Sequence, residues 1–241
     1  MRRPLQDTSP GYLHEAPADA LAADEALLDQ APGERWYVAT QPAVVLGLAL
    51  HRRAASVLDL ERCARAGVQV LERRAGGGAL LLDEGMLCYA VAVRLPDPRV
   101  PDDVTASYRW LGQHFAARLR GLGVSARLVQ VDQARADVAQ HRHDPLGTTC
   151  FGVLSPHEVV VGSAKVVGLA QVRRRHAVLF QVGVLLRDQS SLADLMRVPD
   201  ERDRETLRQA LRERTVGLEA LLGRRPLDDL VATLSPSRQA S

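Results

Sequence analysis

The sequence has few of the features that would place it quickly. Among 241 residues there are only three cysteines, Cys63, Cys88 and Cys150, too few for a disulfide framework, and a reducing cytoplasm is the expected setting. Aromatic residues are 4% of the chain. No apolar run approaches the roughly 20 residues that a membrane span needs; Ala43 to Leu50 is among the longest. The N-terminus MRRPLQDTSPGYLHEAP carries two arginines and no apolar core, so no signal peptide is expected. Charge of one sign is also missing: 31 basic residues face 29 acidic ones, a net charge of +2. That balance argues against a dedicated nucleic-acid or membrane-surface binder. The scarcest residue is lysine. Thirty of the basic residues are arginine, and Lys165 stands alone. Arginine pairs well but does not readily release a proton, so the one retained amine is either a position that needs lysine itself or a chance survivor on the surface.

What is present is ordinary for a globular chain: 46% hydrophobic and 25% charged residues, enough to build one large core without staples. Helical spacing runs over 17–30, 57–66, 103–122 and 201–222, with a last short helix to about Leu234. Strand patterns cover Trp36–Ala39, Val44–Leu48, Val68–Leu71, Ala79–Leu82 and Met86–Val93. A β meander follows over Glu158–Val161, Ala164–Val172 and Ala177–Leu186. Residues 132–149 are polar and read as a loop. Strands in the middle with helices around them indicate an α+β fold in one domain spanning 1–241.

Four features carry potential chemistry. Arg73-Arg74-Ala75-Gly76-Gly77-Gly78 lies between two strands; its glycines admit close backbone approach, and its arginines suit an anion, although a plain hairpin loop would look the same. It is neither a P-loop nor a dinucleotide fingerprint, because no Gly-Lys-Ser/Thr and no strand–helix turn accompany it. Cys150, fifteen residues before Lys165, is a candidate nucleophile, since a cation beside a thiol favours its reactive thiolate. Cys63, on a helix, and Cys88, in an apolar strand, read as packing residues. His141-Arg142-His143-Asp144 lacks metal-ligand spacing, so no metal is expected. Arg173-Arg174-Arg175 reads either as a solvated hairpin tip or as a patch for an acidic partner.

These pieces together resemble the lipoate–protein ligase/octanoyltransferase family, relatives of the biotin ligases. ADEALLDQ resembles the family's first helix, and Gln41-Pro42-Ala43-Val44-Val45-Leu46-Gly47 its P-x-v-x-L-G strand. Arg73 to Ala79, then Asp83-x-Gly85-x-Leu87, resembles R-R-x-(S/T)-G-G-G-A-x-x-H-D-x-x-x-L. Gly162 to Gln171 resembles the G-x-K-(I/V)-x-G-S-A-Q segment, and the chain's only lysine falls on the family's functional position. The likeness runs from about residue 18 to 223. It implies a mixed, largely antiparallel β-sheet flanked by helices, like a biotin/lipoate protein ligase catalytic domain.

The resemblance leaves three activities open. Thr149-Cys150-Phe151 and Ser155-Pro156-His157-Glu158-Val159-Val160-Val161 resemble the A-C-F…(Y/H)-E-(I/L)-V stretch of ligase-like octanoyltransferases. By that likeness Cys150 takes an octanoyl group from acyl carrier protein as a thioester. It then passes the group to a lysine of a lipoyl-domain protein, a glycine cleavage H protein or a dehydrogenase E2, without ATP. Lys165 would lower the thiol's pKa and polarise the acyl carbonyl. Arg73, Arg74, Gly76, Gly77, Gly78, Ala79 and Asp83, with Gly168, Leu169, Ala170 and Gln171, would bind substrate and supply oxyanion donors. An ATP- and magnesium-dependent lipoate ligase is the second activity. The sequence shows no Arg-Asn-Asp-type motif of the kind ligases usually carry, and no C-terminal accessory domain is expected. A non-catalytic binder of acyl groups or partners is the third. The sequence departs from the family pattern at Ala75, which glycine follows at once without the usual Ser/Thr, at Leu82 and Val182, where the family has histidine, and at Leu169, where it has serine. These changes make the expected site more apolar.

Overall fold

The computed structural model describes residues 11–223 and 227–235. Ten strands are described: β1 Leu13–Glu15, β2 Gly33–Ala39, β3 Ala43–Gly47, β4 Gln69–Arg73, β5 Leu80–Leu82, β6 Met86–Arg94, β7 Ala126–Leu128, β8 Val159–Val161, β9 Ala164–Arg173 and β10 Ala177–Leu185. The helices are α1 Pro17–Gln30, α2 Leu48–His51, α3 Ala54–Val57, α4 Leu60–Arg65, α5 Arg109–Gly121, α6 Val131–Gln140, α7 Glu201–Arg214, α8 Leu218–Leu222 and α9 Leu227–Leu234. Seven strands form one sheet in the order β1-β2-β6-β10-β9-β8-β7, and three form a second in the order β4-β3-β5. Every pairing in the large sheet is antiparallel except β1 with β2. The fold is therefore α+β, with helices around a largely antiparallel sheet.

Period-two alternation sorts the strand residues between two cores. Trp36, Val38, Leu87, Tyr89, Phe180 and Val182 pack with Leu111, Phe115 and Leu119 of α5 on one face of the large sheet. On the other face Tyr37, Met86, Cys88 and Leu185 meet Val45, Leu80 and Leu82 of the small sheet. The space between the two sheets is where the site lies.

Three expectations need correction. Residues 132–149 are not a loop: α6 covers Val131–Gln140, and a 3₁₀ turn covers Pro145–Thr148. Val131, Ala134 and Val138 keep helical spacing, but the polar residues between them hide it. The helix expected over 103–122 begins as a 3₁₀ turn at Ala106–Tyr108 and becomes α5 only at Arg109. The helix expected over 201–222 breaks at Thr215–Gly217. There the Val216 N–H bonds the Lys165 carbonyl at 3.0 Å, and a Cβ on Gly217 would lie 2.2 Å from the Leu186 carbonyl oxygen.

Candidate active site

Cys150 is held from four directions. Its N–H donates to the Ala79 carbonyl at 2.7 Å, and the Ala79 N–H donates to Thr148 at 2.8 Å, so the glycine loop and the Cys150 turn form a short parallel bridge. That bridge requires glycine at position 78, since a Cβ there would lie 2.3 Å from the Thr148 carbonyl oxygen. The Phe151 ring fills the gap left by Gly168 and Gly183, which face each other across β9 and β10. Lys165, buried in β9, donates from Nζ to the carbonyls of Cys150, at 2.9 Å, and of Val153. Arg214, from α7, donates to the Gly152 carbonyl and pairs with Asp137.

The thiol and the lysine thus meet through the main chain. The Lys165 ammonium takes the Cys150 carbonyl oxygen and an ion pair with Glu158 at 2.6 Å, both side chains being buried. Burial pushes the Glu158 carboxyl up, while the Lys165 charge beside it pulls it down. Glu158 also accepts the N–H groups of Ser155 at 2.6 Å and Leu169 at 3.4 Å. The cation at the sulfur is instead Arg73: its guanidinium Nη2 lies 3.5 Å from Cys150 Sγ and 3.0 Å from the Gly76 carbonyl oxygen.

Two spaces meet at this sulfur. One is a narrow, mainly apolar slot between the sheets, about 480 Å³ counting its open mouth, lined by Leu21, Val45, Leu80, Leu82, Met86 and Phe151 among others. The other is a wider, polar outer cleft. Cys150, Arg73, Leu169 and Ala170 line both and form the neck between them. Away from the neck the slot carries one polar group set. Asp24 accepts from Tyr37 at 3.1 Å, Gln181 at 2.9 Å and Arg35 at 2.8 Å. Burial raises the Asp24 carboxyl and pushes the Cys88 thiol up to about 12.

The structure brings Cys150, Arg73, Gly168, Leu169 and Ala170 together at the slot, with Gly76, Gly77 and Gly78 lining the outer cleft. Four other expected residues sit elsewhere. Arg74 is exposed and pairs with Glu25 of α1 at 2.9 Å. Asp83 accepts the Gly85 N–H at 2.7 Å in the β5–β6 turn. Ala79 is fully buried and acts only through its backbone. Gln171 donates to the Val104 carbonyl and to Ser107, at 3.0 and 2.9 Å, fastening that segment rather than lining the slot. His141 Nδ1 lies 2.9 Å from Asp144 Oδ2, a local pair beside the 3₁₀ turn. Of the departures from the family pattern, Leu82 faces the slot's core, Val182 packs on the α5 face, and Leu169 stands at the neck. Sequence reasoning missed Glu158, Asp24 and Gln181 as members of the site. Glu158 had a signal: a carboxylate leading into Val159-Val160-Val161 must bury itself, and it needs a cation to do so.

Residues 16–235 match the family model described as the lipoyl protein ligase A/B catalytic domain. A curated relative, octanoyltransferase LipM of Anoxybacillus flavithermus, is 31% identical over 218 residues, covering 87% of this chain and 76% of that protein. The octanoyltransferase LipM of Symbiobacterium thermophilum is 33% identical over 225 residues, covering 91% and 78%. Among solved structures, the bipartite lipoate protein ligase of Thermoplasma acidophilum superposes with a TM-score of 0.71 at 22% identity, over 92% of this chain and 79% of that one.

Proposed function

The chain belongs to the lipoyl protein ligase A/B catalytic domain family, and we propose that it is an octanoyltransferase of protein lipoylation, working through a thioester on Cys150. One observation carries this reading: the Cys150 sulfur stands at the neck between an apolar slot and an open polar cleft, with the Arg73 guanidinium beside it. The slot suits a medium acyl chain. The neck presents the carbonyl carbon to sulfur, and the cleft admits first a donor and then an acceptor. The names of the curated relatives support the acyl group and the reaction type.

The chemistry balances without an activating nucleotide. Cys150 Sγ attacks the carbonyl of an octanoyl thioester on acyl carrier protein. A new Sγ–C bond forms, the carrier's C–S bond breaks, and the proton from Cys150 leaves on the carrier thiol. The amine of a lipoyl-domain lysine then attacks the Cys150 thioester. An amide forms, the Sγ–C bond breaks, and the amine's proton returns to the thiol. Arg73 offers a cation to negative charge on the sulfur in both halves.

Lys165 acts in this reading as a positioning residue. Its three N–H groups go to Glu158, Cys150 and Val153, so it fixes the turn that carries the nucleophile. With those donors taken, none is left for a nucleotide phosphate, which weighs against the ATP-dependent reading.

The test is transfer in two stages. Enzyme charged from octanoyl acyl carrier protein and freed of donor should octanoylate a lipoyl domain on lysine, with no ATP present. Cys150→Ala should abolish it. Labelling only when free octanoate and ATP are supplied would replace this reading with the ligase.

A further inference from the structure

We propose that the outer cleft is a subsite for the phosphate ester of the acyl donor's pantetheine arm, held by Arg53 and Arg142. The inference rests on the transferase reading and names the donor chemistry that the cleft selects.

The arginines are the first observation. Arg53, at the start of α3, and Arg142, in the turn after α6, are far apart in the chain but line the same cleft as Gly76, Gly77 and Gly78. Arg53 and Arg142, although exposed, make no ion pair or side-chain hydrogen bond among the described residues. Among the described residues that line the cleft, Glu158 is the one acidic group, and it is buried against Lys165. Two arginines with no carboxylate partner among the described residues therefore line this space, and a guanidinium fork matches phosphate oxygens.

The second observation is position. Arg73 lines both the slot and the cleft, whereas Arg53 and Arg142 line the cleft and not the slot. The phosphate of an acyl adenylate is bonded to the acyl group itself and would have to sit at the neck. A pantetheine arm carries its phosphate at the end remote from the thioester. Anion-binding groups in the outer cleft, with a thiol at the neck, fit the second arrangement.

The test uses Cys150→Ala protein, which holds a thioester donor without reacting. Binding of octanoyl-4′-phosphopantetheine and of octanoyl-pantetheine is measured by calorimetry, in that protein and with Arg53→Ala and Arg142→Ala added. The phosphorylated donor should bind roughly tenfold tighter, and the added substitutions should erase the gap. Equal affinities for the two donors, or a gap that survives both substitutions, overturns the proposal. An arginine-dependent site for ATP without discrimination between the donors assigns the arginines to a nucleotide and also overturns it. Acylation of wild-type Cys150 by octanoyl-pantetheine, read by mass, reports on the transferase reading separately. An adduct without phosphate discrimination removes the subsite alone.

Discussion

Lys165 commits all of its donors to holding other groups, and that defines what its loss should do. Lys165→Met leaves Glu158 buried with no cation, a loss that costs about 3–5 kcal/mol in comparable pairs. Denaturant unfolding should show it. Adding Glu158→Gln removes the stranded charge and should restore much of the midpoint. It should not restore acylation, because the carbonyls of Cys150 and Val153 still lack their donor. The single-turnover acylation rate is expected to stay down roughly tenfold or more with little change in donor KM. A double variant that acylates at the wild-type rate contradicts the positioning role. At this scale the sequence was informative but incomplete. The lone lysine and Cys150 are legible as functional residues. Their contact through a carbonyl is not, because it depends on how the 150–153 turn folds back onto β9. Arg73 reads as one of two equivalent arginines, and only the packing separates it from Arg74, which turns outward to Glu25.

Among the elements, the glycine loop and the turn before Cys150 work as one unit. Gly78 permits the bridge between Ala79 and the segment 148–150. Gly78→Ala should therefore cost about 1–3 kcal/mol and slow acylation, as the turn is pushed off the loop. Gly76→Ala meets nothing within 4 Å and should leave the melting temperature close to wild type. Equal melting temperatures for the two variants would contradict this division of roles. The sequence identifies the triple glycine but suggests close approach to a ligand for all three. At Gly78 the close approach is to the protein's own backbone. The long strands β6, β9 and β10 are legible from their apolar, β-branched runs, and in β6 and β10 alternating valines, Val91 with Val93 and Val182 with Val184, also give the face. The separation into two sheets is not, since β3, β4 and β5 pair among themselves without any local signal.

For the whole molecule, acid sensitivity follows from two histidines. Burial pulls His114 and His157 below the ordinary value of 6.5, with Arg109 adding to the effect at His157. Well above pH 6.5 neither the folded nor the unfolded chain protonates them to any extent. As pH falls below 6.5 the unfolded chain takes up protons that the folded chain resists. Stability therefore drops until the lower folded values are passed. Urea midpoints at about pH 7.5 and about pH 5.5 should show this loss, and His114→Gln should reduce it. An unaltered difference in the variant would remove His114 from the account. The buried Glu158 and Asp24, both raised, work in the opposite direction, so the histidine substitution is what isolates the contribution.

The central claim is a covalent acyl group on one sulfur, and the intact mass of the chain tests it most directly. Mixed with octanoyl acyl carrier protein and no ATP, the wild-type chain should gain the mass of one octanoyl group on Cys150. Cys150→Ala should gain none, although Cys63 and Cys88 are still present. A wild-type chain that stays unmodified, or an adduct that persists in Cys150→Ala, contradicts the account.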